Sequence, residues 1–177
     1  MNNPPFAAMN YIGLNTCDTA NGAGIRVSLF VSGCRMHCKG CFNKESWDFK
    51  AGKEFTSDTW LQIYNALKNP YIKGFSVLGG EPMEPENQEE LIPLLRKIRL
   101  FLPNKDIWLW TGHKFEDIKD SPIITENLID VLVDGAFVEH RKGNHLMWRG
   151  SSNQRIISLK PEPKDISKEI NNEYSAS

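Results

Sequence analysis

The chain has 177 residues, 40% of them hydrophobic and 24% charged, a composition typical of one folded domain rather than a disordered chain. Its 21 basic and 22 acidic residues leave a net charge of -1, so it lacks the basic footprint of a nucleic-acid-binding protein. No apolar run is long enough to cross a membrane, and residues 1–9 do not resemble a secretory signal, so we expect a cytoplasmic protein.

The predicted elements alternate between strands and helices. Pro4 and Pro5 predict a loose lead-in over residues 1–12. Apolar and other residues then alternate from Ile25 to Ser32, as in a strand. Apolar spacing predicts a helix at Ser57–Lys68 and another through Leu91–Leu102, which must begin near Pro93 or kink there. The remaining predicted elements are strands at Phe75–Leu78, Ile107–Trp110, Leu128–Val133 and Arg155–Leu159 and a short helix at Phe115–Lys119.

The end of the chain differs in composition from the rest. Residues 161–177 are polar, mixed in charge and poor in large apolar side chains. We therefore expect residues 1–160 to form a single domain and residues 161–177 to form a mobile tail with at most a short helix.

Alternating strands and helices are typical of parallel β/α units. Four predicted strands run into glycine-containing segments, namely Ser32-Gly33-Cys34, Gly79-Gly80-Glu81, Thr111-Gly112 and Asp134-Gly135. Sites in parallel α/β folds form at the carboxyl ends of strands, so these segments are expected to share one rim. Glycine also ends strands for purely conformational reasons. The cysteines that follow the first strand favour a site.

Three of the four cysteines lie within eight residues, as Cys34, Cys38 and Cys41, with C-x3-C-x2-C spacing. Three thiolates can hold three irons of a 4Fe–4S cluster and leave the fourth iron open to another ligand. A structural zinc site remains an alternative, but it normally needs four ligands, and only His37 or the distant Cys17 could supply the fourth.

The residues beyond the cysteines carry a resemblance to a known family. The cysteine motif followed by Gly79-Gly80-Glu81-Pro82 resembles the radical SAM superfamily, in which S-adenosylmethionine (SAM) binds the open iron. Other blocks resemble the activating proteins of the anaerobic (class III) ribonucleoside-triphosphate reductase. They include Asn21–Arg26, Leu29–Cys34, Lys39–Asn43, Asp106–Gly112, Val131–Gly135 and Trp148–Gln154. Ala23 stands where that family more often has proline.

The resemblance implies a radical reaction. A reduced 4Fe–4S cluster would split SAM into methionine and a 5′-deoxyadenosyl radical, which would remove a hydrogen from one glycine of the reductase large subunit. A flavodoxin-type protein would supply the electron. A complete β/α barrel usually needs about 250 residues, so the resemblance implies an α/β fold that is an incomplete, open parallel β/α barrel.

The resemblance also implies roles for individual residues. Cys34, Cys38 and Cys41 would be the metal ligands, and no other catalytic residue is implied. The expected cofactor-binding residues are Gly40, Cys41, Phe42, Gly79, Gly80, Thr111 and Asp134. Gly79 and Gly80 would admit the amino acid part of SAM, Phe42 would pack the adenine or belong to the core, and Thr111 and Asp134 would bond the ribose or cap turns. Arg26 would face an anion or pair with an acidic residue. Trp148 and Arg149 would contact the reductase or simply pack.

Three functions stay open at this point. The first is activation of the anaerobic ribonucleotide reductase. The second is a related radical SAM reaction, on another glycyl-radical enzyme or on a small molecule. The third, from a different class, is a zinc-stabilised binding module without catalysis.

Overall fold

The computed structural model describes residues 9–175, with the side chain of Ser175 left out. Most of the predicted lead-in, residues 1–8, lies outside these, as do residues 176–177 of the predicted tail. The strands are β1 (Asn10–Asp18), β2 (Ile25–Val31), β3 (Lys53–Glu54), β4 (Ile72–Gly79), β5 (Asp106–Trp110), β6 (Val131–Asp134), β7 (Arg155–Ser158) and β8 (Lys164–Asp165). The helices are α1 (Ser57–Leu67), α2 (Pro85–Phe101), α3 (Phe115–Ile118), α4 (Pro122–Thr125) and α5 (Ser167–Ser175).

The eight strands form one open mixed sheet in the order β3-β1-β2-β4-β5-β6-β7-β8. The four central strands, β2, β4, β5 and β6, are parallel, as the β/α alternation predicts. The outer pairings on both sides are antiparallel, so the expectation of a parallel sheet is wrong at the edges. Strand β1 is not predicted, and its first residues, 10–12, fall within the predicted lead-in. Polar, exposed residues in the second half of β1 weaken its strand pattern.

Both faces of the central sheet are covered, which explains why β2 is buried on both sides. The larger core cluster places the apolar face of α2 (Leu91, Leu94, Leu95 and Ile98) against sheet residues such as Leu29, Phe75 and Leu109. A smaller cluster on the other face is formed by Trp108, Val133 and Ile156.

Arg26 lies within this covered sheet with no exposed surface. Its Nη2 pairs with the carboxylate of Asp106 at 2.6 Å, and its Nε donates to the Ser76 hydroxyl at 2.7 Å. Of the two alternatives for Arg26, the structure therefore shows pairing with an acidic residue. This arginine links β2, β4 and β5.

Helix α2 begins earlier than its apolar spacing predicts. Pro85 occupies the first turn, where a missing backbone N–H costs nothing, and the helix continues past Pro93 to Phe101. The side chain of Pro93 is exposed. The early start matters because the first turn of α2 lies directly after the Gly79–Pro82 segment.

The sheet extends into residues 161–177, the segment predicted to be a mobile tail. Strand β8 pairs with β7, and the N–H of Ile156 donates to the hydroxyl of Ser167 at 2.8 Å. Ile166 and Ile170 pack against the smaller core cluster. Ile166, between β8 and α5, and Ile170, on α5, thus add apolar contacts to the strand pairing that attaches the segment to the sheet.

Among residues 9–175, no helix is long and apolar enough to cross a membrane.

Candidate functional site

The loop from Cys34 to Cys41, here called the cysteine loop, follows β2 at the carboxyl end of the parallel strands. Its three cysteines are half-buried free thiols, and all three line one cavity of about 430 Å³. Burial raises the pKa of Cys34, and the neighbouring charges of Glu81 and Cys38 act in the same direction. A cation at this position would reverse that effect by favouring the thiolate.

The start of the cysteine loop is held by contacts on two sides. The N–H of Arg35 donates to Glu84 Oε1 at 2.8 Å, and its guanidinium pairs with Glu84 and Glu86 beside the start of α2. The same guanidinium lies over the ring of Phe49, 4.3 Å from its centroid. Gly33 has a φ of +96°, and a Cβ there would lie 2.3 Å from the Phe49 ring. The ring therefore fits only because residue 33 is glycine.

The two glycines after β4 allow two strand ends to approach closely. A Cβ on Gly79 would lie 2.7 Å from the backbone of Val31, and one on Gly80 would lie 2.6 Å from the carbonyl oxygen of Gly33. The N–H of Gly80 donates to the carbonyl of Val31 at 2.7 Å. Both glycines also line the cavity. Packing therefore requires glycine here whether or not a ligand contacts the backbone.

Glu81 is a fully buried carboxylate on this rim, and it is not among the expected cofactor-binding residues. Its oxygens accept hydrogen bonds from the Thr111 hydroxyl and the Gly112 N–H, both at 2.7 Å, and from the Met83 N–H at 2.9 Å. Burial raises the pKa of Glu81, and these hydrogen bonds oppose the rise. The carboxylate thus connects the loops that follow β4 and β5.

Asn87 on α2 connects the cysteine loop to the same network. Its buried Nδ2 donates to the carbonyl oxygens of Ser32, at 3.0 Å, and Glu81, at 2.9 Å. The residue has no motif around it, so only its position in the fold reveals this link.

The expected SAM-binding residues divide into two groups. Phe42, Gly79, Gly80 and Thr111 line the cavity together with the three cysteines. The hydroxyl of Thr111 is already bonded to Glu81. Phe42 is 66% exposed, and its ring centroid lies 5.5 Å from that of Phe137.

The other two expected residues lie outside the lining. Gly40 faces Glu139, whose Oε1 would be 2.7 Å from a Cβ at that position. The carboxylate of Asp134 is held by Arg155 and by the Phe115 N–H, the latter at 2.7 Å. The structure therefore places neither residue in the cavity lining, although both lie on the same rim.

The segment Trp148–Gln154 forms one wall of the cavity, a position that its sequence does not predict. The indole N–H of Trp110 donates to the carbonyl of Trp148 at 2.7 Å. Gln154 Oε1 accepts from the N–H groups of Gly150 and Ser151, at 2.8 and 3.0 Å, and so fixes the turn. Arg149 belongs to the same wall, its Nη1 donates to the carbonyl of Gln154 at 2.7 Å, and burial lowers the pKa of its guanidinium.

The donor set of the cavity fits a cluster held by three thiolates. A zinc site would need a fourth ligand, and neither candidate, His37 or Cys17, is among the residues that line the cavity. The ring of His37 instead stacks on that of Trp47, with the ring centroids 4.2 Å apart. Within residues 9–175, no three His, Cys, Asp or Glu side chains gather around the position of a single ion. A cluster has a different requirement, because each thiolate binds a separate iron.

Comparison with known proteins agrees with this site. The profile of the family described as a 4Fe-4S single cluster domain matches residues 20–157. An anaerobic ribonucleoside-triphosphate reductase-activating protein of Enterobacteria phage T4 is 43% identical over 150 residues, 85% of this chain and 94% of that protein. The protein of the same name from Escherichia coli K12 is 44% identical over 154 residues, 86% of this chain and 100% of the relative. The one from Haemophilus influenzae is 43% identical over 154 residues, 86% and 99% of the two chains.

Proposed function

The chain belongs to the family of anaerobic ribonucleoside-triphosphate reductase-activating proteins, and we propose that it is a radical SAM enzyme that generates a glycyl radical on that reductase. The observation that carries the proposal is the convergence of three free thiols and the Gly79–Pro82 loop on one cavity.

In this proposal Cys34, Cys38 and Cys41 hold three irons of a 4Fe–4S cluster and leave the fourth iron free for SAM. When bound and reduced, the cluster would supply one electron for the cleavage of SAM to methionine and a 5′-deoxyadenosyl radical. Transfer of a glycine Cα hydrogen to that radical would give 5′-deoxyadenosine and leave a glycyl radical. The residues of this chain bind and orient the cluster and SAM and exclude water from them.

The cavity of about 430 Å³ lies within the usual range of about 300–1,000 Å³ for a small-molecule site. We assign the amino acid part of SAM to the backbone at Gly79 and Gly80, and the nucleoside to the side of Phe42 and Thr111. Gly40 and Asp134 support the rim indirectly, since their neighbours Glu139 and Arg155 occupy the space around them.

The wider expectations belong to the same proposal. The parallel strands β2, β4, β5 and β6 represent part of an open β/α barrel whose carboxyl end carries the site. A flavodoxin-type protein in the cytoplasm supplies the electron.

The test begins with anaerobic reconstitution of the full chain with iron and sulfide. We expect about four irons per chain, formation of methionine and 5′-deoxyadenosine from SAM under reducing conditions, and a glycyl radical signal by electron paramagnetic resonance when the anaerobic reductase is added. Cys38→Ala should lose the cluster, whereas the matched control Cys17→Ala should keep it, because Cys17 is exposed on β1 and not among the cavity-lining residues.

The alternatives have distinct outcomes in the same experiment. SAM cleavage without a radical on the ribonucleotide reductase, but with one on another glycyl-radical enzyme or with a modified small molecule, would replace the proposed substrate. Zinc without iron or sulfide after anaerobic purification would favour the binding module and overturn the proposal.

A further inference from the structure

Residues 161–175, here called the C-terminal segment, fold onto the face of the sheet that carries the smaller core cluster. Strand β8 pairs with β7, and the N–H of Ile166 donates to the carbonyl of Ile156 at 2.8 Å. Helix α5 follows and stays on the same face, since Ile170 packs against that cluster. The C-terminal segment lies beyond residue 157, where the match to the family profile ends, so membership of the family assigns it no role.

The large apolar side chains of the C-terminal segment are regularly spaced. Residues 161–177 contain three of them, Ile166, Ile170 and Tyr174, each four residues after the last. Residues four apart lie one above the other on a helix, so Ile170 and Tyr174 share one face of α5. Tyr174 contacts Trp148 edge to face, with the ring centroids 4.9 Å apart. The helix face that begins on the smaller core cluster therefore ends on the wall of the proposed SAM site.

Trp148 depends on such contacts because its backbone conformation is unfavourable. Its φ is +58°, in the left-handed region that residues other than glycine rarely adopt. Such a conformation persists only where the surrounding structure holds it. The indole N–H of Trp110 donates to the Trp148 carbonyl at 2.7 Å, and the rings of Trp108 and Trp148 meet with centroids 5.0 Å apart. These two contacts come from β5, and the contact with Tyr174 adds support from α5.

A second interaction joins the C-terminal segment to the next residue of the wall. Burial lowers the pKa of the Arg149 guanidinium, and the charge of Asp165 in β8 opposes that fall. Asp165 also fixes the start of α5, because its Oδ1 accepts a hydrogen bond from the N–H of Ser167 at 2.9 Å. The C-terminal segment thus acts on two adjacent residues of the cavity lining, on Trp148 through a ring contact and on Arg149 through charge.

We infer that the C-terminal segment sets the position of this wall, with Tyr174 as a positioning residue for SAM binding. The cavity of about 430 Å³ lies near the lower end of the range for a small-molecule site, so it leaves little spare room around a bound molecule. Loss of the Tyr174 contact lets Trp148 relax from its unfavourable conformation, and the displaced wall then contacts SAM less well. The inference rests on the proposed function and adds to it a residue outside the cavity lining.

The test uses Tyr174→Ala in the full chain and requires no turnover. Binding of SAM to the reconstituted, oxidised protein, measured by equilibrium dialysis, should weaken by about two- to tenfold, the range expected for loss of one aromatic pair. The iron content should equal that of the wild type, because the three clustered cysteines are unchanged. Tyr174→Phe keeps the ring and should bind SAM as the wild type does. Tyr174→Leu keeps an apolar side chain without the ring and should have an affinity between those of the wild type and Tyr174→Ala.

Hydrogen–deuterium exchange of the metal-free protein provides a measurement that is independent of SAM. The N–H groups of Gly150 and Ser151, which both donate to Gln154 Oε1, should exchange faster in Tyr174→Ala because the wall is less firmly held. The N–H of Gly80, which donates to the carbonyl of Val31, belongs to a different part of the rim and should exchange as in the wild type.

The matched control is Tyr71→Ala, which removes another exposed tyrosine ring. Tyr71 immediately precedes β4, so it lies at the opposite end of the parallel strands from the cavity. This variant should match the wild type in SAM affinity and in exchange. Wild-type SAM affinity or wild-type exchange of Gly150 and Ser151 in Tyr174→Ala, or an equal loss of affinity in Tyr71→Ala, would overturn the role of the C-terminal segment. Failure of the wild-type protein itself to assemble a cluster or to bind SAM would instead refute the proposed function.

Discussion

Asn87 joins the cysteine loop to the Gly79–Pro82 loop through one side-chain amide, so its removal should loosen the rim of the site. In Asn87→Ala the carbonyl of Ser32 loses its donor, while the carbonyl of Glu81 keeps a second donor, the N–H of Glu84 at 3.1 Å. One orphaned buried carbonyl costs about 1–3 kcal/mol, and one lost hydrogen bond costs about 0.5–1.5 kcal/mol. We therefore expect a loss of about 2–4 kcal/mol in the free energy of unfolding.

The measurement is urea unfolding of the reduced, metal-free protein, followed by circular dichroism and tryptophan fluorescence. With an m-value of about 1–3 kcal/mol per molar urea, the midpoint should fall by roughly 1–2 M while m stays constant. Asn104→Ala is the control, because Asn104 is exposed in the turn between α2 and β5. Its effect should stay within about 0.5 kcal/mol.

Asn87→Asp sharpens the test because it keeps the shape and removes both donors. An ionised carboxylate would face two carbonyl oxygens, so the variant should be less stable than Asn87→Ala at pH 8. Its deficit relative to the wild type should shrink as the pH falls, since a protonated carboxyl can donate one of the two hydrogen bonds. If Asn87→Ala unfolds within 0.5 M urea of the wild type, about 1 kcal/mol or less, the assigned link between the two loops is refuted.

Two further predictions concern the strands that support the rim. Gly79→Ala should cost about 2 kcal/mol or more, because a φ of +112° is unfavourable for alanine and the new Cβ would meet the backbone of β2. Gly135→Ala has a similar φ of +99° but no atom nearer than 3.6 Å, so urea unfolding of equal cost for both variants would contradict the steric part of the argument. Burial acts to raise the pKa of Asp130, but hydrogen bonds from Lys160, Arg99 and a backbone N–H outweigh it and lower the pKa. The stabilisation by the Asp130 carboxylate is therefore complete at neutral pH, where Asp130→Asn should lower the free energy of unfolding by about 2 kcal/mol. This difference between the variant and the wild type should fade as the pH falls below about 4. A difference that stays constant from pH 3 to 7 would show that the charge contributes nothing.

Much of the fold could be predicted because its signals are local. The alternation along β2 and the apolar spacing of Leu91, Leu94 and Leu95 are properties of single segments, and both predicted elements are present. Strand β1 is not predicted, and strand β8 falls within the predicted mobile tail. Their strand character depends on pairing partners, since edge strands have few buried residues of their own.

The sequence by itself determined the chemistry of the site: three cysteines at C-x3-C-x2-C spacing, in one loop after a strand, next to a glycine-rich rim. Short spacing forces these residues together in any fold, so no long-range information is needed. Only the tertiary structure decided which other residues join them. It buried Glu81 among three donors and turned Asp134 towards Arg155 and away from the cavity. It also made the segment Trp148–Gln154 a wall of the cavity. Each of these depends on contacts between residues far apart in the chain, which arise only when the strands have been ordered in the sheet.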